Sequence, residues 1–362
     1  MSYMTSIKTS LIVFPLIAIV ITIPFVLVVY HRYGSISKFR VLIIYSFVLY
    51  LMTIYFLVIL PLPDVDYVAS LTTEKVQLIP FRFVIDFINE TPFKLNDPST
   101  YLSALKDASF YTVFFNIVMT IPFGMYLRYY YKCSLKKVIK YSFLLSLFFE
   151  LTQLSGLYFI YPRPYRLFDV DDLIMNTFGG ACGYWLMGLF DKVLPTREEI
   201  DESSLLKGQT VSGLRRITLA LLDIFICSMI TTFIQVFINW KCVEYIVIFI
   251  YYVIIPYYNK YQTLGGKFLK VRFSFKHNSM FSLTVKEACA MVYWQIPFIV
   301  IPLAMCVTNL LNLKEIEVNI VYFACLMFLL LFYLVSIVSL LKNRIMIYDD
   351  ISKVKFESTI SK

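Results

Sequence analysis

Histidine is nearly absent from this chain. Only His31 and His277 occur among 362 residues, both in segments that read as basic loops. That excludes a histidine-based metal site and a Ser-His-Asp triad. The cysteines, at 133, 182, 227, 242, 289, 306 and 325, include no CxxC. Most sit in or beside apolar runs, where a free cysteine behaves as a small buried hydrophobe, so no disulfide is expected. No cofactor is expected either. Charge is also scarce: charged residues make up 16% of the chain against 59% hydrophobic, and mean hydropathy is +0.73. A soluble protein of 42.4 kDa could not bury that much apolar surface. An ordinary cytosolic enzyme and a disordered chain are therefore excluded. Any acid–base or ion chemistry must use carboxylates, Lys, Arg, Tyr or amides.

What the chain does have is apolar runs of about 20 residues, the length an α-helix needs to cross a bilayer. Nine spans are predicted, near 7–30, 41–62, 109–131, 138–160, 171–190, 217–238, 243–258, 291–311 and 319–341. The fold class is all-α, a polytopic α-helical membrane protein. The seventh span is short enough to be re-entrant. The first is too long for a signal peptide and lacks a basic leader and a small-residue cleavage site. The segment QLIPFRFVIDFIN at 77–89 is apolar and aromatic, but it is too short to span and is broken by Pro80. It reads as re-entrant or interfacial.

Net charge is +9, yet the basic residues are spread over short loops and form no compact face, so nucleic acid is excluded as a partner. With the N-terminus outside, only Lys8, Lys75, Arg82, Lys94, Lys106, Arg163, Arg166, Lys241 and Lys314 are external, which leaves 24 of the 33 Lys and Arg inside. That is the positive-inside pattern, and it puts the C-terminus in the cytoplasm. The polar stretch at 191–212 reads as a cytoplasmic linker between a membrane domain at 1–190 and a second at 213–345, followed by a cytoplasmic tail at 346–362. No internal repeat is visible.

Polar groups within the bilayer are costly, and each needs a reason. The third span carries Asn116, Thr120 and Gly124 at i, i+4, i+8. The fourth carries Glu150 and Gln153. The loop YPRPYRLFDVDD brings Arg163, Arg166, Asp169, Asp171 and Asp172, and the fifth span adds Asn176, Gly179 and Gly183. With a rise of 1.5 Å per residue, Asn116, Gln153 and Asn176 lie about 8–10 Å from the outer ends of their helices and Glu150 about 15 Å. Two readings stand. In one, Arg82, Asn116, Glu150, Gln153, Arg166, Asp169, Asp172 and Asn176 form an outward-facing polar pocket, with Arg82 the cation nearest Glu150. In the other, the amides only hydrogen-bond helix to helix, Asp172 only caps its span, and the glycines only allow close packing. Asp171 reads as a solvated loop or helix-cap residue. No metal site is expected; Asp169 with Asp172 is the weak option.

The stretch from Asn116 to Gly183 resembles the VanZ-like family. The matching pieces are NIVMTIPFG at 116–124, FELTQ at 149–153, and R-x-x-D-x-D-D-x-x-x-N-T-x-G-G-x-x-G from Arg166 to Gly183. LIPFR at 78–82 is similar to the family's earlier Pro-Phe element, where Gln77 stands in place of the usual Asn. The pattern covers about residues 11–190. Residues 213–342 resemble the RDD family less closely, through Arg216, Ala220 and Asp223 in GLRRITLALLDIFI and through TLGGKFLKVRF at 263–273. The family's second aspartate is replaced there by Ser274, Phe275 and Lys276. Asp223 and Arg216, two turns apart, read as a structural pair. TLGGK lacks the Gly-x4-Gly-Lys-Ser/Thr spacing of a P-loop.

The VanZ-like resemblance implies a multi-pass protein of the bacterial plasma membrane, linked to low-level resistance to a lipoglycopeptide antibiotic of the teicoplanin type. Its leading functional implication is an envelope protein whose pocket binds a cell-wall lipid, glycan or polymer, or the lipoglycopeptide itself. Two alternatives remain open. One is an enzyme on a lipid-linked phosphate or glycan, using Asp169, Asp172 and Glu150 as acid and base or as Mg²⁺ ligands. The other is an ion transporter through Asp223.

Overall fold

The computed structural model describes residues 3–360, apart from 95, 191–192, 239, 241, 276–278 and 312–313. Lys276 and His277 lie outside the described residues. A segment in hydrocarbon must pair its own backbone groups, so the apolar runs become helices. The chain forms two compact units, one from Met1–Ile21 and Lys38–Ile200, the other from Thr22–Ser37 and Asp201–Lys362.

The first unit takes the start of α1 (Tyr3–Tyr33), then α2 (Lys38–Ile59), the short α3 (Val65–Ser70), strand β1 (Val76–Gln77) and the amphipathic α4 (Arg82–Glu90). Three helices follow: α5 (Ala108–Tyr129), α6 (Leu135–Leu154) and, after strand β2 (Phe168–Asp169), α7 (Val170–Phe190). β1 and β2 pair in parallel, Val76 with Phe168 and Gln77 with Asp169. α5 and α7 approach to backbone contact because Gly124 and Gly180 face each other; a Cβ on Gly124 would strike the Gly180 carbonyl.

The second unit contains most of α8 (Arg197–Gly208), then α9 (Gly213–Phe237), α10 (Val243–Tyr258, with a π-helical middle), α11 (Leu264–Phe268), strand β3 (Val271–Phe275), α12 (Ser279–Leu310), α13 (Glu315–Leu341), α14 (Ile347–Ser352) and strand β4 (Val354–Ser358). β3 and β4 are antiparallel, with Phe273 opposite Phe356. Residues read from the sequence as a tail are thus folded. The alternation in VKFES puts Val354 in a core with Val253, Phe273 and Leu283, while Lys355 faces out. Arg215 is fully buried and clamps this region, donating to the carbonyls of Leu269 (Nη2, 2.7 Å), Gly208 (2.8 Å) and Lys270 (2.9 Å).

Among the described residues, α1, α2, α5, α7, α9 and α13 are long and apolar enough to span a membrane. A seventh span results if α12, bent by 44° near Pro297, counts as one. The expected nine therefore reduce to six or seven by length and apolarity. α6 falls short because Lys136, Lys137 and Lys140 occupy its start, Ser142 and Ser146 its middle and Glu150 its last turns, and α10 is simply too short. α6 also stops at Leu154 instead of Ile160. Ser155 caps the next turn, and Leu157, Tyr158 and Phe159 all take positive φ. His31, expected in a loop, sits in the last turn of α1 and stacks on Phe268.

Candidate functional site

Three helices of the first unit bring polar and small residues together at i, i+4, i+8. α5 offers Asn116, Thr120 and Gly124; α6 offers Glu150, Ser146 and Ser142; α7 offers Asp172, Asn176 and Gly180. Since i and i+4 share a helix face, these triplets stack into layers. In the first layer Asn116 Nδ2 donates to Asp172 Oδ1 at 2.5 Å. In the second, Asn176 Nδ2 donates to Ser146 Oγ at 2.9 Å, and that hydroxyl donates to the Asp172 carbonyl at 3.2 Å. In the third, Gly124, Gly180 and Ser142 touch, and a Cβ on Gly180 would collide with Ser142 Oγ. Among the described residues, Ser142 Oγ and Asn176 Oδ1 are buried with no hydrogen-bond partner. Toward the far ends of α5 and α6 the seam gives way to an apolar cluster of Phe123, Leu127 and Val138.

Above the first layer lies the β1–β2 pair. Asp169 donates its backbone N–H to Glu150 Oε2 at 3.0 Å, so a buried carboxylate on α6 anchors the strand that enters α7. Asp169 Oδ1 accepts from the Asp171 N–H at 2.8 Å and from Gln77 Nε2 at 3.3 Å. Burial pushes the Asp169 carboxyl above the usual carboxylate range, and those two donors offset part of that. Gln77 is buried and also closes on its own neighbour, donating to the Ile79 carbonyl at 2.8 Å and accepting from the Ile79 N–H. The Gln thus forms an internal turn that an Asn would reach differently.

Asp171, read from the sequence as a solvated or capping residue, is only 3% exposed. Its Oδ1 accepts from Phe81 N–H at 2.5 Å and its Oδ2 from Phe83 N–H at 3.1 Å. It caps α4 from across the fold, while Phe81 holds the left-handed conformation (φ 63°) that starts that helix. The Pro-Phe element is therefore fixed to α7 through its backbone.

A cavity of about 430 Å³ opens beside this assembly. Its walls include Arg82, Arg166, Asp169, Gln77, Asp86 and Glu74. Arg166 is braced by donating to the carbonyls of Val58 (2.7 Å) and Leu60 (3.0 Å). Arg163 instead reaches the Thr73 carbonyl. Arg82 lies 3.9 Å from Asp86 one turn along α4, with both side chains about half exposed, and does not reach down to Glu150. The eight residues expected in one pocket thus divide. Arg82, Arg166 and Asp169 line the cavity. Asn116, Glu150, Asp172 and Asn176 belong to the interhelical seam, and Gln153 donates to the Val58 carbonyl at 3.0 Å. Asp169 and Asp172 face different partners, and among the described residues no three His, Cys, Asp or Glu side chains gather as metal ligands.

In the second unit the expected Arg216–Asp223 pair does not form. Arg216 pairs with Asp349, donates to the Arg344 carbonyl at 3.2 Å and lies over the Phe356 ring. Asp223 is satisfied by three neutral donors: Tyr251 Oη (2.7 Å), Thr263 Oγ1 (2.8 Å) and Gly265 N–H (3.0 Å). The Thr-Leu-Gly-Gly-Lys turn is thereby a cap for a buried carboxylate.

Residues 47–191 match the VanZ/LLP1 family. The match begins within α2 and ends with α7, so it takes in the cavity, the β1–β2 pair and the whole α5–α6–α7 seam, and it leaves α1 out. It covers less than half of the chain. The likeness of residues 213–342 to the RDD family rests on the sequence motifs alone. No curated protein and no solved structure matches the chain.

Proposed function

We propose that the VanZ-like unit works at the outer face of a bacterial plasma membrane. There its cavity receives an anionic, hydroxyl-bearing group of a cell-wall lipid, glycan or polymer and so alters the response to glycopeptide or lipoglycopeptide antibiotics. The observation that carries this reading is the cavity lined by two guanidinium groups, Arg82 and Arg166, with Asp169 and the acceptors of its rim beside them. Guanidinium forks suit phosphate and carboxylate oxygens, and Asp169 accepts from hydroxyls. The seam beneath serves as a rigid floor that fixes β2 through Glu150, and Asp171 beside it holds α4. The two-carboxylate enzyme reading is not favoured, since Glu150 and Asp172 do not line the cavity.

The test uses a deletion strain complemented with Arg82→Gln, chosen because the Arg82 side chain is about half exposed and, among the described residues, forms an ion pair only with Asp86. The variant should accumulate in the membrane and lose the antibiotic phenotype, with Arg82→Lys retaining part of it. Full phenotype in Arg82→Gln would overturn the reading. We also propose the N-out, C-in orientation and the RDD-like character of the second unit. Reporter fusions at the C-terminus should read cytoplasmic, and an external signal would reverse the assignment of faces.

A further inference from the structure

A second cavity, of about 360 Å³, lies at the opposite end of α5 from Asn116. The two ends are about 18 Å apart along the helix, from twelve residues at 1.5 Å each. Arg128, Tyr129, Lys132, Cys133, Leu194 and Thr196 line it. We propose that it binds the phosphate of an acidic phospholipid from the adjoining leaflet.

Arg128 is preset for that task. It donates to the Tyr184 carbonyl at 2.8 Å, and its guanidinium lies 4.5 Å over the Tyr184 ring. It passes across Gly188, where a Cβ would press on the guanidinium at 2.9 Å. Lys132 supplies the second cation. Its present partner is the Glu198 carboxylate at 3.0 Å, with that acid 71% exposed. An exposed pair of this kind contributes little and exchanges readily for another anion. The surroundings add positive potential. Between residues 128 and 140 stand Arg128, Lys132, Lys136, Lys137 and Lys140, with no acid among them. The last three crowd the first turns of α6, where the helix dipole is itself positive and the Ser134 cap makes no side-chain hydrogen bond. Together they give this end of α5 and α6 a positive potential that favours an anion.

The lipid source follows from the neighbours of the polar group. Leu194 lines the cavity, and Leu189 and Val193 beside it are 73% and 79% exposed, an apolar surface on which acyl chains lie. Clusters of basic residues at the end of a span attract acidic lipids by about 1 kcal/mol per cation, roughly a five-fold change in affinity.

Native mass spectrometry of the full chain in detergent tests this, with dioleoylphosphatidylglycerol and dioleoylphosphatidylcholine as probes and millimolar inorganic phosphate as competitor. The glycerol lipid should be retained over the choline lipid and resist displacement by phosphate. Lys132→Gln should weaken it about five-fold, and Glu198→Gln, which frees Lys132, should strengthen it. Both side chains are exposed, so folding is not at stake. Equal retention of the two lipids, or no response to either substitution, overturns the proposal. Displacement by inorganic phosphate overturns the lipid assignment, leaving a simple anion site.

Discussion

Asp171 carries more of the site than its neighbours in the acidic run. Its carboxylate takes two backbone N–H groups, from Phe81 and Phe83, that have no other partner at the start of α4. A hydrogen bond to a charged group contributes about 1.5–3 kcal/mol, and a buried donor left unmade adds its own desolvation cost. Asp171→Ala removes both bonds at once. The low end of that range is about 3 kcal/mol, more than a hundred-fold in the equilibrium for opening the 76–90 segment. The left-handed Phe81 shifts the balance further, because a non-glycine residue there relaxes once its N–H is released.

The loss is local. Asp171 does not join the α5–α7 seam, so the helices should stay packed while α4 detaches. Hydrogen–deuterium exchange on the purified chain should show amides of Phe81 to Glu90 exchanging at least a hundred-fold faster, with amides of α5 and α7 unchanged. Asp171→Asn keeps one acceptor and should fall between. Unchanged protection at Phe81 and Phe83 would refute the docking role. Loss of protection throughout α7 would instead make Asp171 a general stability residue.

Gly124→Ala and Gly180→Ala should separate in repair, each costing about 1–3 kcal/mol of stability by overpacking. Gly180→Ala meets the Ser142 side chain and should be rescued by Ser142→Gly in a detergent melting assay, whereas Gly124→Ala meets the Gly180 backbone and should not. Arg216→Gln and Asp349→Asn should each destabilise the second unit by about 3–5 kcal/mol, since each strands a buried charge, and the double variant should cost less than their sum. The raised Asp169 carboxyl sets a pH dependence for an anionic ligand in the cavity. Protonation removes a negative charge beside Arg82 and Arg166, so binding should tighten as pH falls through the raised Asp169 pKa and weaken as pH rises through it. Asp169→Asn should flatten that profile.

Much of the fold is legible because bilayer physics leaves few choices. Each of the nine apolar runs contains a helix, although the fourth stops at Leu154; what the sequence misjudges is how many qualify as spans. α6 shows the difficulty: Lys136, Lys137 and Lys140 at its start and Glu150 one turn from its end make it too charged to count as a span. The i, i+4, i+8 rule found Asn116, Thr120 and Gly124 on α5. Applied backward from Glu150 it also reaches Ser146 and Ser142, which a serine's neutral hydropathy conceals.

What was hidden shares one cause. Asp169, Asp171 and Asp172 are identical in type and adjacent in sequence, and the direction each faces depends on where α7 begins. A helix turns about 100° per residue, so a boundary known to within a few residues cannot say which carboxylate turns inward. Arg215 and Arg216 pose the same problem: one is a buried clamp on backbone carbonyls and the other seeks a carboxylate. The partner expected for Arg216 was seven residues away on its own helix. The actual one, Asp349, is 133 positions along, on the short helix α14 just before strand β4. Short-range spacing finds residues that share a face, but what that face meets is decided by long-range pairing. At both aspartates the sequence shows the acceptor, and only the fold supplies the donors.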